Sequence, residues 1–157
     1  MKIQLLFTGK TRFSFIREGI EVYRQRLIHY TDFQIRDLPE LKNSGSWPEH
    51  KVKGEEGKNI LKAIEPGDFV ILLDERGRQL DSLAFAGMLE KQQHGSVRTV
   101  LFVVGGPYGF AEEVYRRADL KLSLSRMTFS HQLVRLIFLE QLYRAFTIIR
   151  GEAYHHG

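Results

Sequence analysis

The chain has no cysteine among its 157 residues. That excludes a disulfide, a thiol nucleophile and a thiolate-bound metal, and it agrees with a reducing compartment. No apolar run approaches the ~18 residues that a membrane span needs, so no membrane segment is expected. The opening Met1-Lys2-Ile3-Gln4-Leu5-Leu6-Phe7 is apolar, but it is short for a secretory leader and lacks a small-residue cleavage site before Gly9. The expected location is the cytoplasm. The six histidines (His29, His50, His94, His131, His155 and His156) show no HExxH spacing, and nothing marks a metal site or a hydrolytic triad. Internal repeats and low-complexity tracts are absent too. A detachable basic tail is also missing: the formal net charge of +4 is shared equally by residues 1–78 and 79–157. What remains is a folded basic surface, which permits an anionic partner such as nucleic acid.

What is present reads as one soluble globular domain. The apolar share of 43% and charged share of 27% are ordinary for that class, and the length suffices for one substantial core. Lys2 to Thr8 reads as a buried strand, Gly9-Lys10-Thr11 as a turn, and Phe15, Ile16, Ile20, Tyr23 and Leu27 as a helical stripe. Asp32 to Leu38 alternates as a second strand, followed by a polar segment from Glu40 to Lys53 that reads as a mobile loop. A short helix is expected over Glu55 to Ile64, a buried strand over Phe69 to Leu73, and a polar loop over Asp74 to Gln79. Asp81 or Ser82 can cap a helix running to about Gln93. Thr99 to Val104 is another apolar strand, Ala111 to Ala118 a short helix, and Leu120 to Leu124 a short strand; Ser130 starts the last and longest helix. Strands alternating with helices, several of the strands unbroken apolar runs, predict an α/β fold with a mostly parallel sheet covered on both faces.

In such sheets ligands sit beyond the carboxyl ends of the strands. Three loops qualify: Leu73 to Gly77, Gly105-Gly106-Pro107-Tyr108-Gly109, and Ser125-Arg126-Met127-Thr128-Phe129-Ser130. Gly9-Lys10-Thr11 copies the end of a P-loop, but the first glycine of GxxxxGK[ST] would fall on Gln4, inside the strand. The Gly105–Gly109 loop is not GxGxxG, Pro107 lacks an amide that a pyrophosphate would use, and Glu112-Glu113 would repel one. The loop therefore suits a neutral, shape-read group such as adenine or ribose, unless it is only a turn. The final helix is apolar nearly all round, from Leu133 to Ile149, and predicts a homodimer through that helix.

These motifs together carry a resemblance. Met1 to Leu5, Gly105 to Gly109, Leu122 to Arg135, Glu140 to Phe146 and Arg150 to His155 resemble the bacterial 23S ribosomal RNA pseudouridine N3-methyltransferases called RlmH, over essentially the whole chain. The resemblance implies the SPOUT fold: a mostly parallel sheet flanked by helices, a C-terminal trefoil knot and a homodimer. It implies S-adenosyl-L-methionine as cofactor, contacted by residues matching Leu73, Gly105, Ser125, Arg126, Met127, Thr128, Phe129 and Ser130. The family often has proline where Ser130 stands, and serine can still cap the helix.

The implied reaction methylates N3 of a pseudouridine in 23S ribosomal RNA, with an assembled ribosomal target expected because so small a domain offers little surface for reading RNA. Tyr154 and His155 in the tail are candidates to take the N3 proton. Arg144 and Arg135 are expected to orient RNA phosphate or the base, and Arg150 to contact RNA. The competing class is a non-catalytic ribosome- or RNA-binding factor with a vestigial cofactor loop.

Overall fold

A computed structural model describes all residues, 1–157. Its elements in chain order are β1 (Lys2–Thr8), α1 (Ser14–Leu27), β2 (Asp32–Leu38), α2 (Glu49–Ala63), β3 (Phe69–Gln79), α3 (Ser82–His94), β4 (Thr99–Val104), α4 (Glu112–Arg117), β5 (Leu120–Ser123) and α5 (Leu133–Ile149). The strands form one five-stranded sheet in the order β2-β1-β4-β3-β5, and every pairing is parallel.

The apolar runs of β1, β3 and β4 occupy the interior of the sheet and alternate between two cores. On one face Ile3, Leu5, Phe7, Ile71, Val100 and Phe102 pack with Leu27 of α1, Phe85 and Leu89 of α3, and Phe138, Leu142 and Phe146 of α5. On the other, Leu6, Val70, Leu72, Leu101 and Val103 pack with Ile60 of α2 and Val114 of α4. A fully buried leucine or phenylalanine contributes roughly 1.5–3 kcal/mol relative to exposure, so these strands anchor the domain. The small crossing of α2 over α4 needs Gly57, where a Cβ would lie 3.0 Å from that of Ala111.

Most predicted elements are present, and the expected Asp81 cap is made: its side chain accepts from the Ala84 amide at 2.8 Å. Three boundaries differ, the start of α5 at Leu133 instead of Ser130 among them. The expected loop over residues 40–53 ends early, because α2 starts at Glu49 after the extended Pro48, whose carbonyl accepts from Lys51 and Val52. Its first turns face solvent, so no apolar period announced them. The expected polar loop over residues 74–79 is instead the irregular continuation of β3: Leu122 is paired first with Leu73 and then with Arg78. None of residues 74–79 is buried, which leaves the sequence of this strand end polar.

α5 is apolar on several sides partly because three layers of its own chain cover it. It lies on the sheet, packs against α3, and receives Gly19 of α1 so closely that a Cβ there would meet Leu136 at 2.8 Å.

At Gly77 a Cβ would stand 2.6 Å from the Lys121 carbonyl carbon and 2.7 Å from the Leu122 nitrogen, both backbone atoms, whereas Gly87 faces open space. Gly77→Ala should therefore destabilise the fold by about 1–3 kcal/mol. Gly87→Ala, in an exposed helix, should be neutral or stabilising by up to ~1 kcal/mol. Thermal unfolding of both variants checks this, and equal melting temperatures would contradict the register drawn for β3 and β5.

Candidate functional site

β4, β3 and β5 are neighbours and parallel; Leu73 pairs with Val104 on one side and Leu122 on the other, at the point where β3 becomes irregular. The segments leaving these points enclose a cavity of about 540 Å³, within the usual size range of small-molecule sites. Of the predicted cofactor residues, Leu73, Gly105, Ser125, Met127, Thr128, Phe129 and Ser130 line it. Arg126 does not; its side chain is exposed to solvent. The structure thus brings together all three segments chosen from the sequence, the first of them as the irregular end of β3 and not as a loop.

Each wall has a local cause. In the glycine loop, the Gly109 amide donates to the Gly106 carbonyl at 3.3 Å, and Gly109 has φ +79°, a conformation side chains rarely adopt. A Cβ on Gly105 would lie 2.9 Å from the ring of buried Phe110. Behind the loop, a Cβ on Gly106 would lie 2.7 Å from Oε2 of Glu56, an oxygen buried without a partner. Burial raises the pKa of Glu56.

The third loop is held by its own hydroxyls. Ser123 Oγ donates to the Ser125 carbonyl at 3.0 Å, and Ser125 Oγ accepts from the Met127 amide at 2.9 Å. Thr128 Oγ1 donates to Glu75 at 3.0 Å, tying the loop to β3. Ser130 does cap the approach to α5: its Oγ accepts from the Leu133 amide at 3.0 Å and its carbonyl from Val134 at 3.0 Å. Helical geometry itself begins at Leu133, three residues after the sequence-based start.

Asp74 and Tyr115 also line the cavity and were not singled out by sequence. The Tyr115 hydroxyl donates to Asp74 Oδ2, and Oδ1 accepts from the Arg76 amide at 2.8 Å. Burial, and then the Asp74 bond, raise the pKa of Tyr115. The pair spans 41 residues, so no local spacing reveals it.

The α5 arginines divide. Arg135, expected at RNA, is fully buried. Its Nη1 donates to the Gly9 carbonyl and to Thr11 Oγ1, each at 3.0 Å, and its Nη2 to the Thr8 carbonyl at 3.1 Å. The guanidinium stacks over Phe7 at 4.5 Å, and burial pulls its pKa down to about 10, leaving it charged at neutral pH. That expectation is corrected: a side chain with no exposed surface and its Nη donors committed to the β1–α1 turn cannot meet RNA. Gln132 completes the clamp, accepting from the Arg12 amide at 2.8 Å and donating to the Lys10 carbonyl at 3.2 Å.

Arg150 is exposed, but it donates to the His29 carbonyl at 3.0 Å and lies over Tyr30 at 4.2 Å. Beyond it the chain turns at Gly151, φ +71°, and folds back along α5. Arg144, Tyr154 and His155 gather there: Arg144 Nη1 and His155 Nδ1 are 3.1 Å apart, and Arg144 lies over the Tyr154 ring at 4.8 Å. Burial first, with Tyr23 and Glu140 adding, pushes the Tyr154 pKa up to about 12. None of these three residues lines the cavity of its own chain.

Residues 1–155 match the family described as "Predicted SPOUT methyltransferase". Proteins called "Ribosomal RNA large subunit methyltransferase H" are similar over 99% of both chains: that of Parabacteroides distasonis is 50% identical, that of Christiangramia forsetii 49%, and that of Bacteroides thetaiotaomicron 46%. In fold, the chain is similar to the crystal structure of a "Probable Methyltransferase from Bordetella pertussis Tohama I", with a TM-score of 0.58 at 11% identity, covering 92% of this chain and 95% of that one.

Replacing Arg135 with methionine leaves the buried Gly9 carbonyl without its partner. Stability should fall by about 1–3 kcal/mol, and Arg135→Lys should recover little, since one ammonium cannot reproduce the planar fork. Chemical denaturation reads both effects; unchanged midpoints would contradict the clamp.

Proposed function

The chain belongs to the SPOUT methyltransferase family, and from that premise we propose that it methylates N3 of a pseudouridine in 23S ribosomal RNA, on the assembled ribosome, using S-adenosyl-L-methionine. The observation that carries this reading is the cavity at the carboxyl ends of β3, β4 and β5, walled by the three segments. The names and full-length similarity of the ribosomal RNA methyltransferase relatives support the substrate class.

The residues fit such a donor. Val104, Phe110, Leu122, Leu124 and Val134 give the cavity apolar walls, while glycines and strand ends offer backbone groups for an adenosyl moiety. Glu112-Glu113 after the loop and Pro107 within it disfavour a phosphate there. When bound, S-adenosyl-L-methionine supplies an already activated methyl group. The protein's part is to hold the acceptor nitrogen in line and to exclude water. Leu73, Gly105, Ser125 and Met127 to Ser130 bind the cofactor in this reading, and Arg126, exposed beside them, faces RNA. Arg150, still solvent-accessible, remains a candidate RNA contact.

Tyr154 and His155 are the candidates to accept the N3 proton, with Arg144 orienting them. Because they lie away from the cavity of their own chain, we place the tail of one protomer at the cavity of its partner. A homodimer is supported by apolar side chains left exposed on and beside α1 and α5: Phe13, Phe15, Val22 and Leu133. The trefoil knot belongs to the same reading, and the Thr128–Glu75 bond and the tight passage of Gly77 against β5 support a threaded C-terminal segment. A cytoplasmic location follows from a ribosomal substrate.

Deleting Tyr154 to Gly157 should lower methyl transfer roughly 100- to 10,000-fold, the usual weight of positioned acid–base groups, while calorimetry finds cofactor affinity almost unchanged. Gly105→Val should do the opposite, abolishing cofactor binding by pushing the loop off Phe110, with a dimer still seen by light scattering. The function itself is tested by mass spectrometry of ribosomal RNA from cells with and without the gene. Loss of one methylpseudouridine is expected, and an unchanged signal refutes the assignment.

A further inference from the structure

Glu140 is the hub of the tail cluster. Its Oε1 accepts from Arg144 Nε at 3.1 Å, from Arg144 Nη2 at 2.6 Å and from the Tyr154 hydroxyl at 3.1 Å. Its Oε2 accepts from Gln141 Nε2 at 2.9 Å, and Gln141 Oε1 accepts from Ser82 Oγ at 2.8 Å, which ties the hub to the start of α3. The Glu140 and Arg144 side chains are only 23% and 24% exposed, so this ion pair is better shielded than a surface pair. The remaining Arg144 nitrogen, Nη1, is 3.1 Å from His155 Nδ1.

The direction of that last bond follows from chemistry. A guanidinium has donors and no acceptor, and it stays charged in proteins. His155 Nδ1 must therefore accept, and a neutral imidazole that accepts at Nδ1 carries its proton on Nε2. The free edge of His155 is a donor. N3 of a pyrimidine dione lies between two carbonyls, which are acceptors for such a donor.

We propose that Glu140 is a positioning residue which, through Arg144, fixes His155 as a hydrogen-bond donor to a carbonyl flanking the target nitrogen, not as the acceptor of its proton. This rests on the tail lying at the active site. It removes His155 from the two proton-acceptor candidates; Tyr154, whose hydroxyl donates to Glu140, takes the N3 proton only as its own hydroxyl proton passes to that carboxylate. It also gives the tail a means of recognising the imide edge of the base. Arg144 is then needed for its fork: one arm on Glu140, the other on His155.

Nitrogen-15 NMR of the imidazole in the full-length protein reads the tautomer directly, with the His155 signal assigned by its loss in His155→Gln. The proton should be on Nε2 in the wild type, and Glu140→Ala should give a mixture of tautomers. A proton on Nδ1, or no change in Glu140→Ala, overturns the proposal. In single-turnover assays on ribosomes, Glu140→Ala should slow methyl transfer on the order of 100-fold, with cofactor affinity by calorimetry unchanged; a matching loss of cofactor binding would make its role merely structural and overturn the proposal. His155→Gln, which keeps an N–H donor, should be roughly tenfold faster than His155→Phe; equal rates overturn the donor role. A wild-type chain that methylates no ribosomal RNA would instead refute the functional reading, while the tautomer result would still show whether Glu140 orients His155.

Discussion

The structure depends on one buried cation. Arg135 leaves the first turn of α5 and places its guanidinium among the carbonyls of Thr8 and Gly9, at the carboxyl end of β1. Burying a charge is costly unless it is well hydrogen-bonded, so this contact tolerates little displacement. It fixes where α5 begins, and with Gln132 it fixes the β1–α1 turn. Residues 125–132 must then cross the neighbouring strand ends to reach that point. The chain between β5 and this anchor forms one wall of the cavity.

The same constraint orders the chemistry. The glycine loop closes one side of the cavity, with Phe110 filling the space its first glycine leaves and Glu56 filling that behind the second. Burial pushes that carboxyl toward its neutral form, so it adds little charge behind the loop. The acidic pair after the loop and the proline within it disfavour a pyrophosphate there. At the other end of α5, the Glu140–Arg144 pair holds the tail against the helix surface. One helix therefore anchors the loop that lines the cavity at its start and the tail cluster farther along it.

Much of this was legible in sequence wherever a single physical preference decided the outcome. Unbroken apolar runs such as Val100 to Val104 can only be buried on both faces, and they gave the parallel sheet. Glycine and serine clusters at strand ends marked the loops after β4 and β5. Illegible parts were those set by long-range partners. The strand character of residues 74–79 comes from β5, about 45 residues later in the chain. The Asp74–Tyr115 bond has no local signature. Arg135 read as a surface cation because nothing in its neighbourhood of sequence announces that Thr8 and Gly9 point carbonyls at it. The start of α2 was hidden because an exposed helical turn has no apolar period.

The most direct measurement is a co-crystal structure with S-adenosylhomocysteine, the demethylated cofactor. The adenosyl group should lie between Leu73, Gly105 and Ser125 to Ser130, with the Arg135 contacts to Thr8 and Gly9 intact. Density elsewhere on the molecule, or a bound ligand with Arg135 released from β1, would contradict the account.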